Sequence, residues 1–240
     1  MKAKESKTYY ESLAKEKNIW QADKRSNFYY KDHIRYDGVI KSLPANVNSA
    51  LDLGCGDGYL SYLMAKTGIS VTSIDLSAHR LEKFKAQADR LKIRQIQGDI
   101  ANVKLSAESF DLIVSSEVIE HIRDYEKVLK EAYRLLKIGG HFIVTVPNNQ
   151  ILRPFTCPHC LNKIYPDDHV NSFTAASLSA DLEKIGFQVD KVVVLRSKIL
   201  NQLQYHLKLK YGLIVKVMDW SLSQLFKKYT YYLLIRSKKI

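Results

Sequence analysis

Residues 51–61, Leu-Asp-Leu-Gly-Cys-Gly-Asp-Gly-Tyr-Leu-Ser, place three glycines at every second position between two apolar flanks. A strand that turns into a helix through residues without side chains suits a site where a ligand comes close to the backbone, or where positive φ is needed. The junction therefore asks for strand–loop–helix units. From about Ser49 onward, short β-branched runs do alternate with amphipathic helical stretches.

The spacing predicts strands over 50–53, 71–74, 94–97, 111–115 and 141–146, and helices over 59–66, 78–91 and 125–137. Ser77 is the expected N-cap of 78–91, Asp124 precedes 125–137, and Gly139–Gly140 is its expected stop. A helix over 174–185 and strands over 187–195 and 229–236 complete the pattern. This order predicts an α/β fold, a doubly wound, mostly parallel seven-stranded sheet. Residues 8–42 read as two helices leading into the first strand, and 199–227 as a helical insertion before the last one. The expected organisation is one domain over 1–240. Within it, 1–45 form an N-terminal helical cap, 46–198 the core, 199–228 the insertion and 229–240 the final strand.

With 240 residues there is enough chain for one such domain. No apolar run approaches a membrane-spanning length, and the N-terminus lacks a signal-peptide core, so the expected location is cytoplasmic. Three cysteines do not make a secreted disulfide framework. The net charge of +12 is uneven: residues 1–41 carry ten Lys/Arg against six Asp/Glu, and residues 190–240 eleven against two. A near-neutral centre with basic ends fits appendages that meet an anionic membrane surface or nucleic acid, and equally a solvated lysine-rich surface.

The glycine spacing departs from the GxGxxG dinucleotide fingerprint. Two acidic residues downstream strengthen the case for a nucleoside. Asp75 ends the second strand, where a carboxylate can accept both hydroxyl protons of a ribose, and Asp99 comes after the third, placed to reach an adenine amino group. LDLGCGDG, SID, QGDI, FDLIVSSEVIEH and LLKIGGHFIVTVPN, in that order over residues 50–150, resemble the successive motifs of class I S-adenosylmethionine-dependent methyltransferases. A nicotinamide enzyme is the structural competitor, but it does not predict the ordered downstream motifs. The resemblance implies that Gly54 and Gly56 let the backbone approach the methionine part of the cofactor, that Asp75 holds the ribose, and that Asp99 and Ile100 hold the adenine. Ser116 would contact the methionine end. Asp52, Cys55 and Leu76 complete the implied cofactor-binding set, with Cys55 expected to pack within the loop.

In EVIEH, the spacing of Glu117, Glu120 and His121 puts two carboxylates and an imidazole on one face of a helical turn. Such ligands suit Mg²⁺, Mn²⁺ or Zn²⁺; acidic residues in a helix's first turn also need no metal to explain them. EVIEH, VPN and DDHVNSF are similar to the ubiquinone-biosynthesis type of O-methyltransferase and to small-RNA 2′-O-methyltransferases. That resemblance implies a metal set of Glu117, Glu120, His121 and His169, and an Arg35 that pairs with the cofactor's carboxylate. With a metal, those residues would aim a substrate hydroxyl; without one, His121 or His169 would be the general base. The Asn- or Asp-Pro-Pro-aromatic run of nitrogen methylation is absent after the fourth strand, where the residues are SSEV, which favours oxygen.

Cys157-Pro158-His159-Cys160 supplies half a tetrahedral zinc site, a redox pair or two ordinary thiols, the last being the expectation. The insertion LKLKYGLIVKVMDWSLSQLFKK fits a lid packed on the sheet or a dimer contact, and a bilayer-interface segment as the second choice. The aromatics Tyr9, Tyr10, Trp20, Phe28, Tyr29 and Tyr30 fit a cap over the cofactor. The expected function is therefore methylation of a hydroxyl on a small, lipid-linked or glycan-linked acceptor, with peripheral contact at the inner membrane surface as a further expectation. An RNA 2′-O-methyltransferase and a non-catalytic S-adenosylmethionine-binding protein are the alternatives.

Overall fold

The computed structural model describes residues 11, 12, 20, 27–161, 163–207 and 213–240. Nine strands are found among them: β1 (Ser49–Leu53), β2 (Ser70–Asp75), β3 (Arg94–Gln97), β4 (Phe110–Ser116), β5 (Leu136–Pro147), β6 (Phe155–Thr156), β7 (Lys163–Ile164), β8 (Phe187–Ser197) and β9 (Thr230–Lys239). Seven form one sheet in the order β3-β2-β1-β4-β5-β9-β8, with β6 and β7 as a separate hairpin. The pairs from β3 to β5 are parallel, whereas β9 runs antiparallel to both β5 and β8.

Alternation along the strands sends successive side chains to opposite faces, and both faces are covered. Leu51, Leu53, Ile113, Phe142, Val144, Leu233 and Ile235 join one core with Val128, Leu129 and Ala132 of the helix Tyr125–Leu135 and Leu178 and Leu182 of the helix Ala175–Ile185. Ala50, Leu112, Val114, Ile143 and Leu234 join the other, under Val39 of the helix Asn27–Ile40, Leu60 and Met64 of the helix Tyr59–Lys66, and Leu81, Phe84 and Ala88. Each buried aliphatic side chain of this kind contributes about 1.5–3 kcal/mol of transfer free energy.

Ser77 accepts the Arg80 amide as the expected cap, but the helix is broken into Ala78–Lys83 and Lys85–Leu91. Phe84 leaves helical geometry (φ −117°, ψ 15°) with its ring fully buried. A Cβ on Gly58 would strike that ring, so the break and the glycine answer one another across the core. The second departure lies at Gly139–Gly140. The helix Tyr125–Leu135 ends earlier, and Leu136 already pairs with Phe110. The glycines then sit inside β5 at an irregularity in its register with β4, Gly139 at φ +80°. They form a bulge within the strand, where the spacing predicts a helix stop.

The insertion before β9 consists of the helices Lys198–Leu207 and Leu213–Leu225. Of the expected N-terminal helices, Asn27–Ile40 is described, and Tyr9 and Tyr10 lie outside the described residues. No described helix is long and apolar enough to cross a membrane.

Candidate active site

Parallel strands converge their carboxyl ends on one edge, and here β1 to β5 deliver the glycine loop, Asp75, Asp99, Ser116 and Asn148 to it. The loop is wired to β2: the amides of Gly54 and Cys55 donate to the Ile74 carbonyl, and the Gly56 amide donates to Asp75 Oδ2 at 2.9 Å. Asp75 Oδ1 accepts the Ser77 amide at 2.9 Å, next to Leu76, and burial raises this carboxyl's pKa. Each oxygen keeps a lone pair for a ligand hydroxyl. Gly54 proves to be shaped by a neighbour as much as by any ligand, since a Cβ there would lie 2.7 Å from a Val118 methyl.

Asp52 lies beneath the loop. It is buried, accepts the Ser61 hydroxyl, and Ser61 in turn accepts Ser73 at 2.7 Å. Burial pushes the Asp52 carboxyl up to about 7, with Ser61 opposing and Asp75 reinforcing the shift. Burial also raises the Cys55 thiol well above its ordinary value, leaving it a packed, inert group. Asp99 is exposed, with Oδ1 accepting the Ala101 amide, and Ile100 is buried beside it. Glu11 accepts from Ser77 Oγ and from the Ala78 amide, and Trp20 Nε1 donates to the Asp57 carbonyl at 2.7 Å. Parts of the N-terminal segment therefore lie directly over this edge.

Arg35 is buried between Tyr36 and Tyr232, with Nη2 3.1 Å from Asp32 and Nη1 4.0 Å from Glu117. Burial works against its charge, but Tyr36, Asp32, Glu117 and Tyr232 outweigh it and keep the guanidinium ionised. Its Nε is buried with no hydrogen-bond partner among the described residues. An anionic oxygen of a ligand would satisfy that donor, so the cofactor carboxylate fits this position.

The segment after β4 is a single 3-10 turn, Ile119–His121, and not the helical turn expected from its spacing. Glu117 precedes it at φ +56° and faces away from the turn: its Oε1 accepts Thr145 Oγ1 at 3.2 Å, and the Ser116 hydroxyl lies 2.9 Å from Thr145 Oγ1. Glu120, His121 and His169 do come together, with one ligand atom of each within 4.8 Å of the others. Glu117 stands outside that trio.

His169 is brought there by the loop after the turn Pro166–Asp168. The amides of Val170 and Asn171 both donate to the Glu120 carbonyl, and Asn171 Nδ2 donates to the carbonyls of Ile119 and Ile122. His121 Nδ1 lies 3.1 Å from the Asp168 carbonyl and His169 Nδ1 2.5 Å from Gln150 Oε1. Carbonyl oxygens only accept, so both Nδ1 atoms carry the proton and both Nε2 atoms present a lone pair. Burial lowers the pKa of His121, and burial with the neighbouring His121 brings His169 down to about 4. Glu120 is 1 % exposed, and neither carboxylate oxygen has a hydrogen-bond partner among the described residues. Burial, then the nearby Glu117, raises its pKa well above the carboxylate range. A buried carboxylate without a donor, facing two imidazole lone pairs, fits a divalent cation or a proton held for exchange.

Gln150 and Asn171, which aim and dock the second histidine, are not distinguished by sequence reasoning; their places inside VPNNQ and DDHVN are the signal that could have found them. Cys157 and Cys160 lie in the turn between β6 and β7. Hydrogen bonds from the amides of Cys160 and His159 and from the Cys160 thiol lower the pKa of Cys157. Among the described residues no third ligand atom joins these thiols.

A family described as a methyltransferase domain matches residues 51–144, the stretch that carries the glycine loop, Asp75, Asp99 and the Glu120–His121 turn. The chain carries a class I S-adenosylmethionine-dependent methyltransferase domain. A Mycolicibacterium smegmatis protein named "Probable S-adenosylmethionine-dependent methyltransferase" is 33% identical over 165 residues, 68% of this chain and 61% of that protein. The ubiquinone biosynthesis O-methyltransferase of Pelagibacter ubique is 35% identical over 127 residues, 51% of this chain and 52% of the relative. The chain thus spans less than two thirds of the length of these relatives. Among solved structures, the geranyl diphosphate C-methyltransferase of Streptomyces coelicolor A3(2) superposes with a TM-score of 0.69 at 13% identity, covering 100% of this chain and 98% of that one. The (4+2)-cyclase SpnF gives 0.65 at 17% identity, covering 91% and 85%. These likenesses establish the methyltransferase fold and leave the acceptor to the site itself.

Proposed function

We propose that this methyltransferase domain transfers a methyl group from S-adenosylmethionine to the oxygen of a hydroxyl acceptor that is small, lipid-linked or glycan-linked. One observation carries the choice of oxygen: Glu120, His121 and His169 converge just beyond β4 with an unpartnered carboxylate and two imidazole lone pairs. An O-methyltransferase name among the relatives supports it.

Displacement at a sulfonium needs the nucleophile in line with the leaving sulfur and stripped of its proton. The cofactor supplies the methyl group. The chain would hold its ribose on Asp75, its adenine between Asp99 and Ile100, and its carboxylate on Arg35. The acceptor hydroxyl approaches the trio, where the lowered pKa of His121 keeps its Nε2 unprotonated at neutral pH and able to take the proton. Were a divalent cation held by Glu120, His121 and His169 instead, that lone pair would be a ligand rather than a base, and the cation's Lewis acidity would lower the hydroxyl's pKa.

The test is transfer of labelled methyl from the cofactor to phenolic, lipid, glycan and RNA fractions, with chelator and with added Mg²⁺, Mn²⁺ or Zn²⁺. Methylation at a hydroxyl, lost in His121→Ala and His169→Ala, supports the reading. Transfer to nitrogen or carbon, or to a terminal ribose of RNA, replaces it. Tight cofactor binding with no transfer to any fraction makes the chain a binding protein.

A further inference from the structure

The helix Leu213–Leu225 is amphipathic in the reverse sense. Val215, Asp219 and Ser223, at i, i+4 and i+8, are the buried positions among its described side chains, and it packs on β8. Asp219 is held there by the Ser197 amide, which donates to it at 2.8 Å. The positions it leaves exposed include Val217 (56 %), Trp220 (68 %) and Leu225 (75 %), with Met218 in the same helix and Phe226 and Tyr229 just beyond it. A helix that buries an aspartate and a serine while leaving a tryptophan and a run of aliphatics in water has its apolar side turned toward something outside the fold.

The charge around this side decides what that is. Between residues 213 and 229 the sequence has a single acidic residue, Asp219, and it is turned inward. Lys227 and Lys228 are exposed immediately after the apolar run. Tryptophan and tyrosine among aliphatics, bordered by Lys227 and Lys228, is the composition that enters the headgroup boundary of an anionic bilayer. A second copy of the same surface would set these lysines against each other.

We infer that the outward side of Leu213–Leu225, with Phe226–Tyr229, is a docking surface for an anionic lipid bilayer. Its position gives the contact a purpose. Asn148, at the carboxyl end of β5, donates through Nδ2 to the Lys227 carbonyl at 2.8 Å and to Thr230 Oγ1 at 2.7 Å. The docking surface is thereby fastened to the sheet edge that carries the candidate active site, and a bilayer bound there lies beside its mouth.

The experiment uses the full chain and vesicles of phosphatidylcholine alone or mixed with phosphatidylglycerol, read by flotation and by tryptophan emission in Trp20→Phe, which leaves Trp220 as the reporter. The expected result is flotation with the phosphatidylglycerol vesicles, reversed by salt, with a blue shift of Trp220. Lys227→Ala/Lys228→Ala weakens binding roughly thirtyfold, at about a factor of five per lysine. Leu225→Glu abolishes it while the melting temperature and cofactor affinity stay unchanged. Absence of flotation at low salt, equal binding to both vesicles, or a stable dimer dispersed by Trp220→Glu would overturn the inference. None of these outcomes depends on which acceptor is methylated.

Discussion

The imidazoles of His121 and His169 stand edge to face with ring centres 4.6 Å apart, although one comes just after β4 and the other lies beyond β7. Each has its Nδ1 tied to a carbonyl oxygen, so the pair is oriented before any ligand arrives.

Divalent-metal binding should follow that orientation. Titration calorimetry and Mn²⁺ spectroscopy on the purified chain are expected to show one site, weakened by orders of magnitude in His169→Ala. In Glu120→Gln the site is lost, while melting temperature in the absence of metal rises or holds, because a buried acid without partners has been neutralised. Unchanged metal affinity in both variants would leave the trio a proton-handling group only.

Asn171 is expected to matter through His169. Asn171→Ala removes the donor to the Ile119 and Ile122 carbonyls, at a cost of about 1–3 kcal/mol in stability. Metal affinity should fall roughly 10–100-fold as the second histidine loosens. A variant that melts early but keeps full metal affinity would confine Asn171 to folding.

Asp75→Ala removes the acceptor for the Gly56 and Ser77 amides as well as the proposed ribose contact. The dissociation constant for S-adenosylmethionine, measured by calorimetry, is expected to rise about 10–100-fold, the equivalent of about 1.4–2.8 kcal/mol. Binding within twofold of the parent chain would move the cofactor away from β2.

Gly58→Ala tests the tie between the loop and the broken helix. The position has φ +71°, and a Cβ would strike the Phe84 ring. The backbone strain alone costs about 1–3 kcal/mol, with displacement of the ring adding to it, read by urea unfolding. Pairing it with Phe84→Leu should recover part of the loss, which a purely backbone effect would not allow.

Asp52 carries a pH signature. Its folded-state pKa of about 7, raised first by burial, lies above the ordinary carboxylate value. The folded state therefore holds this proton more tightly than the unfolded one. Its contribution to stability is present below about pH 4, declines as pH rises toward 7 and is constant above. Asp52→Asn should gain on the parent chain in melting temperature across that range; parallel curves would contradict the assignment.

Much of the sheet is legible in the sequence because parallel strands buried on both faces must be β-branched runs, as in residues 71–74 and 141–146. The break at Phe84 is not, since its cause is a glycine on another element. Nor is the strand that begins at Leu136, where pairing with Phe110 overrides the expected glycine stop. The EVIEH spacing suggests one helical face; the structure keeps Glu120 and His121 and turns Glu117 toward Thr145 and Arg35. An apolar stripe such as 213–225 reads as buried, and only three dimensions show that Asp219 faces inward and Trp220 outward.

The placement of β9 bears on synthesis. β5 and β8 are made before the strand that joins them, and β9 pairs with both. A growing chain on the ribosome exposes two unpaired strand edges until residues 230–239 emerge, so the sheet closes late, and this interval is the one in which a chaperone has most to shield.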